Sequence, residues 1–166
     1  TPFQLANYTA MLANRGYYYV PHIIKEIEGK SIPMKFTTRV ESGIDRRYFD
    51  PVISGMEKVM LPGGTGAMSA IKDISICGKT GTAQNPHGAD HSVFMAFAPK
   101  DNPRIAVSVY VENGIWGATY AAPIASLIIE KYLNDTISTQ RLWLESSMLK
   151  TNLMNPEKIS DIGNEE

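Results

Sequence analysis

Three short runs of strand-forming residues follow one another through the middle of the chain, and nothing else in the sequence narrows the fold as much. They are Ile74 to Ala83, Ser92 to Ala98 and Ile105 to Glu112, each rich in β-branched or aromatic residues. Pro99-Lys100-Asp101-Asn102-Pro103 joins the last two as a turn-rich connection of hairpin length. The expectation is an antiparallel sheet. Asn113-Gly114-Ile115-Trp116-Gly117 ends the third run, and Ala121 to Leu133 then places apolar residues at helical spacing, as a helix covering one sheet face would.

Helix signals bracket the region before the sheet. Thr1-Pro2-Phe3-Gln4 has the form of a capping box with proline at the first helical position, and Gly16 is a natural stop after Leu5, Tyr8, Met11 and Leu12. Tyr17 to Ile27 and Ile32 to Val40 read as a hairpin or two short strands broken at Glu28-Gly29-Lys30. Asp50-Pro51 opens a second helix whose apolar positions Val52, Met56, Val59 and Met60 run up to Leu61-Pro62-Gly63-Gly64. A short helix is expected from Gln140 to Leu153, and Asn155 to Glu166 is polar and aperiodic, as a mobile tail would be.

Composition excludes several classes of protein. With 166 residues, 43% hydrophobic and 20% charged, the chain is long enough for one domain with a core and is neither fibrous nor wholly disordered. Its net charge is -1 and its basic residues are scattered, so no nucleic-acid footprint is expected. Cys77 is alone and cannot form an internal disulfide. No apolar run reaches membrane-span length, and the start at Thr1 without a secretory signal predicts a fragment of something longer.

The stretch with the most chemistry in it is Gly78-Lys79-Thr80-Gly81-Thr82-Ala83, at the end of the first sheet run. A cation, two hydroxyls and a position without a side chain share one strand. Alternation puts Lys79, Gly81 and Ala83 on one face and Thr80 and Thr82 on the other. A glycine-bearing edge admits an extended peptide to main-chain pairing, while lysine and threonine hold a carboxylate. That combination suits the binding of a peptide terminus.

Followed by Asp90-His91-Ser92-Val93-Phe94-Met95-Ala96-Phe97-Ala98-Pro99, the Lys79-Thr80-Gly81-Thr82 run resembles the penicillin-binding proteins, and among them the class B, elongation-type members called penicillin-binding protein 2. The resemblance spans most of the chain. Thr1-Pro2-Phe3-Gln4-Leu5-Ala6 is similar to the family's opening helix, Val20-Pro21-His22 to the strand after it, and Gly64-Thr65-Gly66-Ala67 to its glycine-rich turn. Val111-Glu112-Asn113-Gly114 and Ala121-Ala122-Pro123-Ile124 match at the other end.

The resemblance implies an α+β fold, an antiparallel sheet with the closing and N-terminal helices against one face, as part of a larger serine β-lactamase/transpeptidase-like domain. Residues 1–134 would be the C-terminal portion of the transpeptidase domain, and residues 135–166 a tail with a short helix and then disorder. It further implies a peptidoglycan D,D-transpeptidase that cross-links stem peptides by acyl transfer from D-Ala-D-Ala and is trapped by β-lactam antibiotics. Lys79 and Thr82 would serve catalysis, and Lys79, Thr80, Gly81 and Thr82 would bind substrate. Thr82 would lend its backbone N–H to the oxyanion hole. The family's serine nucleophile and its lysine, in an SxxK motif, are expected in the remaining half of the domain, outside this chain. No cofactor and no metal are implied. The implied location is the periplasmic face of the bacterial inner membrane, held by an N-terminal anchor outside this chain, with the cell-elongation machinery as partner.

Rival readings draw on the same residues. A serine β-lactamase or β-lactam sensor shares the strand motif, and a noncatalytic peptide-binding module is the alternative from another class. Ser147-Met148-Leu149-Lys150 matches SxxK in letters but falls after the strand, and reads as a surface helix turn. Gly78-Lys79-Thr80 lacks the upstream glycine of a phosphate-binding loop, and Gly64-Thr65-Gly66 lacks the strand before a dinucleotide fingerprint. His87, Asp90 and His91 have metal-motif spacing, but Pro86 and Gly88 oppose the helix it needs. Cys77 reads as a small buried filler, and Tyr17, Tyr18 and Tyr19 as packing.

Overall fold

The structure is a computed structural model and describes residues 1–154. Helix α1, Pro2–Ala13, begins at the capping box: Thr1 Oγ1 accepts the Gln4 N–H at 3.3 Å, and the Gln4 side-chain oxygen accepts from the Thr1 amine at 3.0 Å. Its C-terminus closes with the Gly16 N–H donating to the Met11 carbonyl and the Arg15 N–H to the Leu12 carbonyl, both at 3.0 Å. Gly16 stops the helix as expected, but Arg15 also takes a left-handed conformation, with φ +57. An ion pair from Arg15 Nε to Asp50 Oδ1 at 3.0 Å fastens this turn to the next helix.

Strands β1, Tyr17–Tyr19, and β2, Arg39–Glu41, pair antiparallel with Tyr18 opposite Val40. Of the hairpin or two short strands expected over residues 17–40, the two short strands form, confined to the ends of that stretch. Between these strands the chain makes an isolated bridge from Ile27 to Lys30 and a single helical turn, α2, Met34–Thr37. Pro21 and Pro33 each remove a ladder donor, and Ile23 is 95% exposed, so β propensity here has no packing surface to act on. Helix α3, Phe49–Met60, starts just before Asp50 and is entered through a 3-10 turn whose first N–H groups are served by Asp45, which accepts the Arg47 N–H at 3.0 Å. Phe49, Ile53, Met56 and Met60 form its buried stripe.

The sheet contains β3, Cys77–Ala83, β4, His91–Ala98, and β5, Ile105–Val111, antiparallel throughout and ordered β3-β4-β5. β3 begins later than the sequence suggests, because Ile74 is turned back onto Ile71 around Asp73, whose φ is +63. Helix α4, Ala121–Asn134, covers one face: Ala121, Ala122, Ala125 and Ile129 pack with Phe94, Ala96, Ala98 and Val107. On the other face Cys77 and Phe97 pack with Leu12 and Ala13 of α1 and with Phe49, Ile53 and Met56 of α3.

The expectation that α1 and α4 share one face is therefore corrected; they lie on opposite faces. Phe94 and Phe97 explain why. An odd spacing on a strand sends them to opposite sides, and each is fully buried, so β4 needs cover on both. Each ring contributes about 1.5–3 kcal/mol by leaving water.

Helix α5, Leu142–Lys150, follows a 3-10 turn over Thr139–Arg141 and packs on α4, with Leu144 buried. The tail expected over residues 155–166 lies outside the described residues.

Candidate active site

β3 is an edge strand, with β4 along one side and no strand on the other among the described residues. Lys79, Thr80, Gly81 and Thr82 form its central and later part, so the sequence motif sits on an accessible backbone edge. Register partners share a face, and Lys79 and Gly81 stand opposite Met95 and Val93 while Thr80 and Thr82 stand opposite Phe94 and Ser92. The two hydroxyls thus share the α4 side and Lys79 starts from the other, as strand alternation requires.

Lys79 overcomes this separation by its length. Its side chain is exposed and bends over the free edge, where Nζ donates to the Thr80 carbonyl at 2.7 Å. Alternate residues of an antiparallel edge strand turn N–H and C=O away from the partner strand. With the Thr80 carbonyl outward, the Thr82 N–H two residues on is outward as well. The Lys79 ammonium and the Thr80 carbonyl and hydroxyl are accordingly gathered at one stretch of β3.

The two glycines of the strand differ in what they accommodate. A Cβ on Gly78 would stand 2.4 Å from Phe94 Cζ, so the core itself demands glycine there. A Cβ on Gly81 would meet Val93 Cβ at 3.6 Å, an ordinary contact. Among the described residues nothing stands where a Cβ at position 81 would go.

Two loops frame the rim. In the turn after α3, Thr65 Oγ1 lies 2.9 Å from Thr80 Oγ1, a contact that sequence reasoning missed. The β5–α4 connection crosses the strand pair at Gly117, where a Cβ would sit 2.3 Å from the Val93 carbonyl oxygen and 2.9 Å from the Gly81 nitrogen. Ser92 pins this loop: its buried hydroxyl donates to the Trp116 carbonyl at 2.8 Å and accepts the Ala121 N–H at 3.1 Å. The Ile115 N–H donates to the Asp90 carbonyl at 2.7 Å, and His91 Nδ1 accepts the Asn113 N–H at 3.0 Å. His91, whose role the sequence left open, is thereby a brace for the loop. Its Nδ1 is an acceptor there, which places any proton of the neutral ring on Nε2.

The remaining candidates are placed plainly. His87 lies in a turn where its N–H donates to Asn85 Oδ1 at 3.0 Å, and Asp90 accepts the Asn85 N–H at 3.0 Å, so the helix needed for metal-motif spacing is absent. Among the described residues no group of three or more His, Cys, Asp or Glu could hold a metal ion. Cys77 is fully buried, and burial, with a smaller push from Glu57, raises its thiol to about 12. It stays protonated and is no nucleophile. Ser147 and Lys150 are both exposed on α5, which packs on α4 rather than on the strand. Gly64-Thr65-Gly66 follows a helix and leads into a 3-10 turn over Ala67–Ser69, which excludes the dinucleotide reading.

A Lys-Thr-Gly-Thr edge strand, backed by helices on both sheet faces and flanked by two glycine-bearing loops, is the outline of a penicillin-binding acyl-transfer fold, and comparison with known proteins agrees. A family model described as penicillin binding protein transpeptidase domain matches residues 1–130. The chain belongs to that family, and within it groups with the class B members of the PBP2/MrdA type. It is 32% identical over 157 residues to the peptidoglycan D,D-transpeptidase MrdA of Haemophilus influenzae, a match covering 82% of this chain and 24% of that protein. Pseudomonas aeruginosa PBP2, solved with WCK 5153, superposes with a TM-score of 0.71 at 35% identity, covering 84% of this chain and 31% of that one. Penicillin-binding protein A of Mycobacterium tuberculosis, solved as an imipenem acyl-enzyme, gives a TM-score of 0.66 at 31% identity, covering 80% and 31%. The chain thus spans about a quarter of the length of the MrdA relative. Among the described residues no helix is long and apolar enough to cross a membrane.

Proposed function

We propose that Lys79, Thr80, Gly81 and Thr82 form the substrate-binding side of the acyl-transfer site in a longer peptidoglycan D,D-transpeptidase, and that the serine nucleophile and its lysine come from polypeptide outside this chain. Residues 1–134 are then the C-terminal portion of the catalytic domain and residues 135–166 an appended tail. The observation that carries this reading is Gly81: a Cβ would meet only an ordinary contact there, so packing among the described residues does not account for glycine beside Lys79, Thr80 and Thr82 on an edge strand.

In the reaction the serine oxygen attacks the carbonyl of the penultimate D-alanine, the bond to the terminal D-alanine breaks, and the departing amine takes a proton. A second stem-peptide amine then attacks the acyl ester and regenerates the serine. The Thr82 N–H stabilises the oxyanion, a role of about 3 kcal/mol per donor in other acyl-transfer enzymes. Thr80, Thr82 and Lys79 hold the substrate carboxylate. A β-lactam enters as a mimic of that dipeptide and remains on the serine, in line with the acyl-enzyme form of the mycobacterial relative.

Location and partners follow from the same reading. The intact protein works at the periplasmic face of the inner membrane through an anchor outside this chain. The cell-elongation machinery is its partner, by analogy with Helicobacter pylori PBP2, solved in complex with MreC and 26% identical to this chain with a TM-score of 0.64.

Labelling with fluorescent penicillin tests the whole. The intact protein is expected to be labelled covalently and the present 166 residues not. Covalent labelling of these residues alone would overturn the assignment of the nucleophile to another segment, and failure of the intact protein to label would overturn the enzyme reading in favour of a noncatalytic peptide-binding module.

A further inference from the structure

We infer that Thr65 is a positioning residue for the Thr80 hydroxyl, acting from outside the strand that carries the motif. The inference rests on the reading above, in which Thr80 meets a substrate carboxylate. The two Oγ1 atoms are 2.9 Å apart across fifteen positions of sequence, so this is a tertiary contact and not a local turn bond.

The turn that presents Thr65 has little freedom to move it. The Gly66 N–H donates to the Val59 carbonyl and the Gly64 N–H to the Leu61 carbonyl, each at 2.8 Å. A Cβ on Gly64 would lie 2.3 Å from the carbonyl oxygens of Lys58 and Val59, and one on Gly66 would lie 2.7 Å from Met60 Sδ. Glycine on both sides of Thr65 therefore lets the turn sit directly on the last turn of α3. The same Met60 sulfur lies 3.3 Å from where a Gly78 Cβ would be, so one side chain gauges both the turn and β3. Backbone packing, not side-chain reach, sets the distance between the two hydroxyls.

Hydroxyl chemistry gives that distance a consequence. A threonine hydroxyl has one proton to donate and lone pairs to accept with. If Thr80 gives its proton to a carboxylate, its oxygen must be the acceptor in the contact with Thr65, and Thr65 the donor. That bond fixes the Thr80 rotor with its proton directed away from Thr65, and donation into the oxygen polarises the Thr80 O–H. Without Thr65 the Thr80 proton has other acceptors to turn to, and the anion loses an oriented donor.

The test uses the full-length protein that carries this chain, with benzylpenicillin and its methyl ester as probes, the ester lacking the anion. Thr65→Val keeps the shape and removes the hydroxyl; Thr65→Ser keeps the hydroxyl. We expect Thr65→Val to lower the second-order acylation rate with benzylpenicillin about three- to tenfold, the range for one hydrogen bond. Thr65→Ser should restore it, the ester rate should not change, and Thr65→Val should add nothing in a Thr80→Val background. An unchanged acid rate, or an equal loss for acid and ester with a lowered melting temperature, overturns the role of Thr65 while leaving the enzyme reading intact. Absence of acylation in the wild type overturns both.

Discussion

Glu130 on α4 and Arg141, just ahead of α5, meet at 3.2 Å with the glutamate only 2% exposed, so α5 is held to the domain by a buried ion pair. Glu130 Oε1 also accepts the Ser138 N–H at 3.2 Å, and Arg141 donates to Ser126 Oγ. Burial pulls the arginine below its usual range, and Glu130 partly offsets this. A single truncation, Arg141→Ala, leaves the glutamate uncompensated in the interior and should destabilise the domain by about 3–5 kcal/mol. Chemical denaturation of the full-length protein measures this; a midpoint like that of the wild type would mean that the pair holds nothing.

Cys77 should behave as a sealed core residue. With the folded thiol near 12 against an ordinary 9.0, folding favours its neutral form. The unfolded chain therefore releases the proton first, so this contribution to stability is complete below about 9 and declines as pH rises towards 12. A thiol reagent at mildly alkaline pH should react only after denaturant is added. Rapid reaction in the native protein would place the thiol elsewhere.

Gly117 and Gly81 make opposing predictions. Gly117→Ala drives a Cβ to 2.3 Å from a β4 carbonyl and should cost about 1–3 kcal/mol as the loop is pushed off the sheet. Gly81→Ala meets only an ordinary contact, so stability should change by less than about 0.5 kcal/mol. On the proposed substrate-binding role of Gly81, acylation by penicillin should nevertheless fall in Gly81→Ala, the new methyl group crowding the bound ligand. Melting curves beside acylation rates separate the two effects, and a Gly81→Ala protein that reacts normally would count against the free-edge reading.

Lys79 is expected to matter for chemistry and little for folding. Its ammonium is exposed and bonded to its own strand, so Lys79→Ala should shift stability by less than about 0.5 kcal/mol. On the role proposed above for Lys79, removing the charge should slow acylation about a hundredfold, comparable to losing one oxyanion donor. Stopped-flow acylation of the full-length variant provides the number, and an unchanged rate would remove Lys79 from the site.

Much of this protein was readable where the signal is local. Thr1 and Gln4 specify a capping box through four residues, Gly16 ends the helix within one turn, and the strand period of β3 correctly separates Lys79 and Gly81 from Thr80 and Thr82. Failures occurred where the outcome depends on a distant surface. Ile23 and Ile24 look like strand residues but pair with nothing, since no edge is offered to them. The helices were expected on one face, although the spacing of Phe94 and Phe97 already held the correction.

Sequence by itself thus settled the longer helices, the three-stranded sheet, the family and the stretch of chain that carries the motif, because capping, periodicity and turn chemistry act over a few neighbouring residues. Only the tertiary structure decided that α1 and α4 clasp the sheet from opposite sides, that Lys79 reaches around the edge, and that Thr65 and Gly117 close on the strand from two loops. Those arrangements come from close packing of backbone against backbone between segments far apart in sequence, and no local pattern encodes such distances.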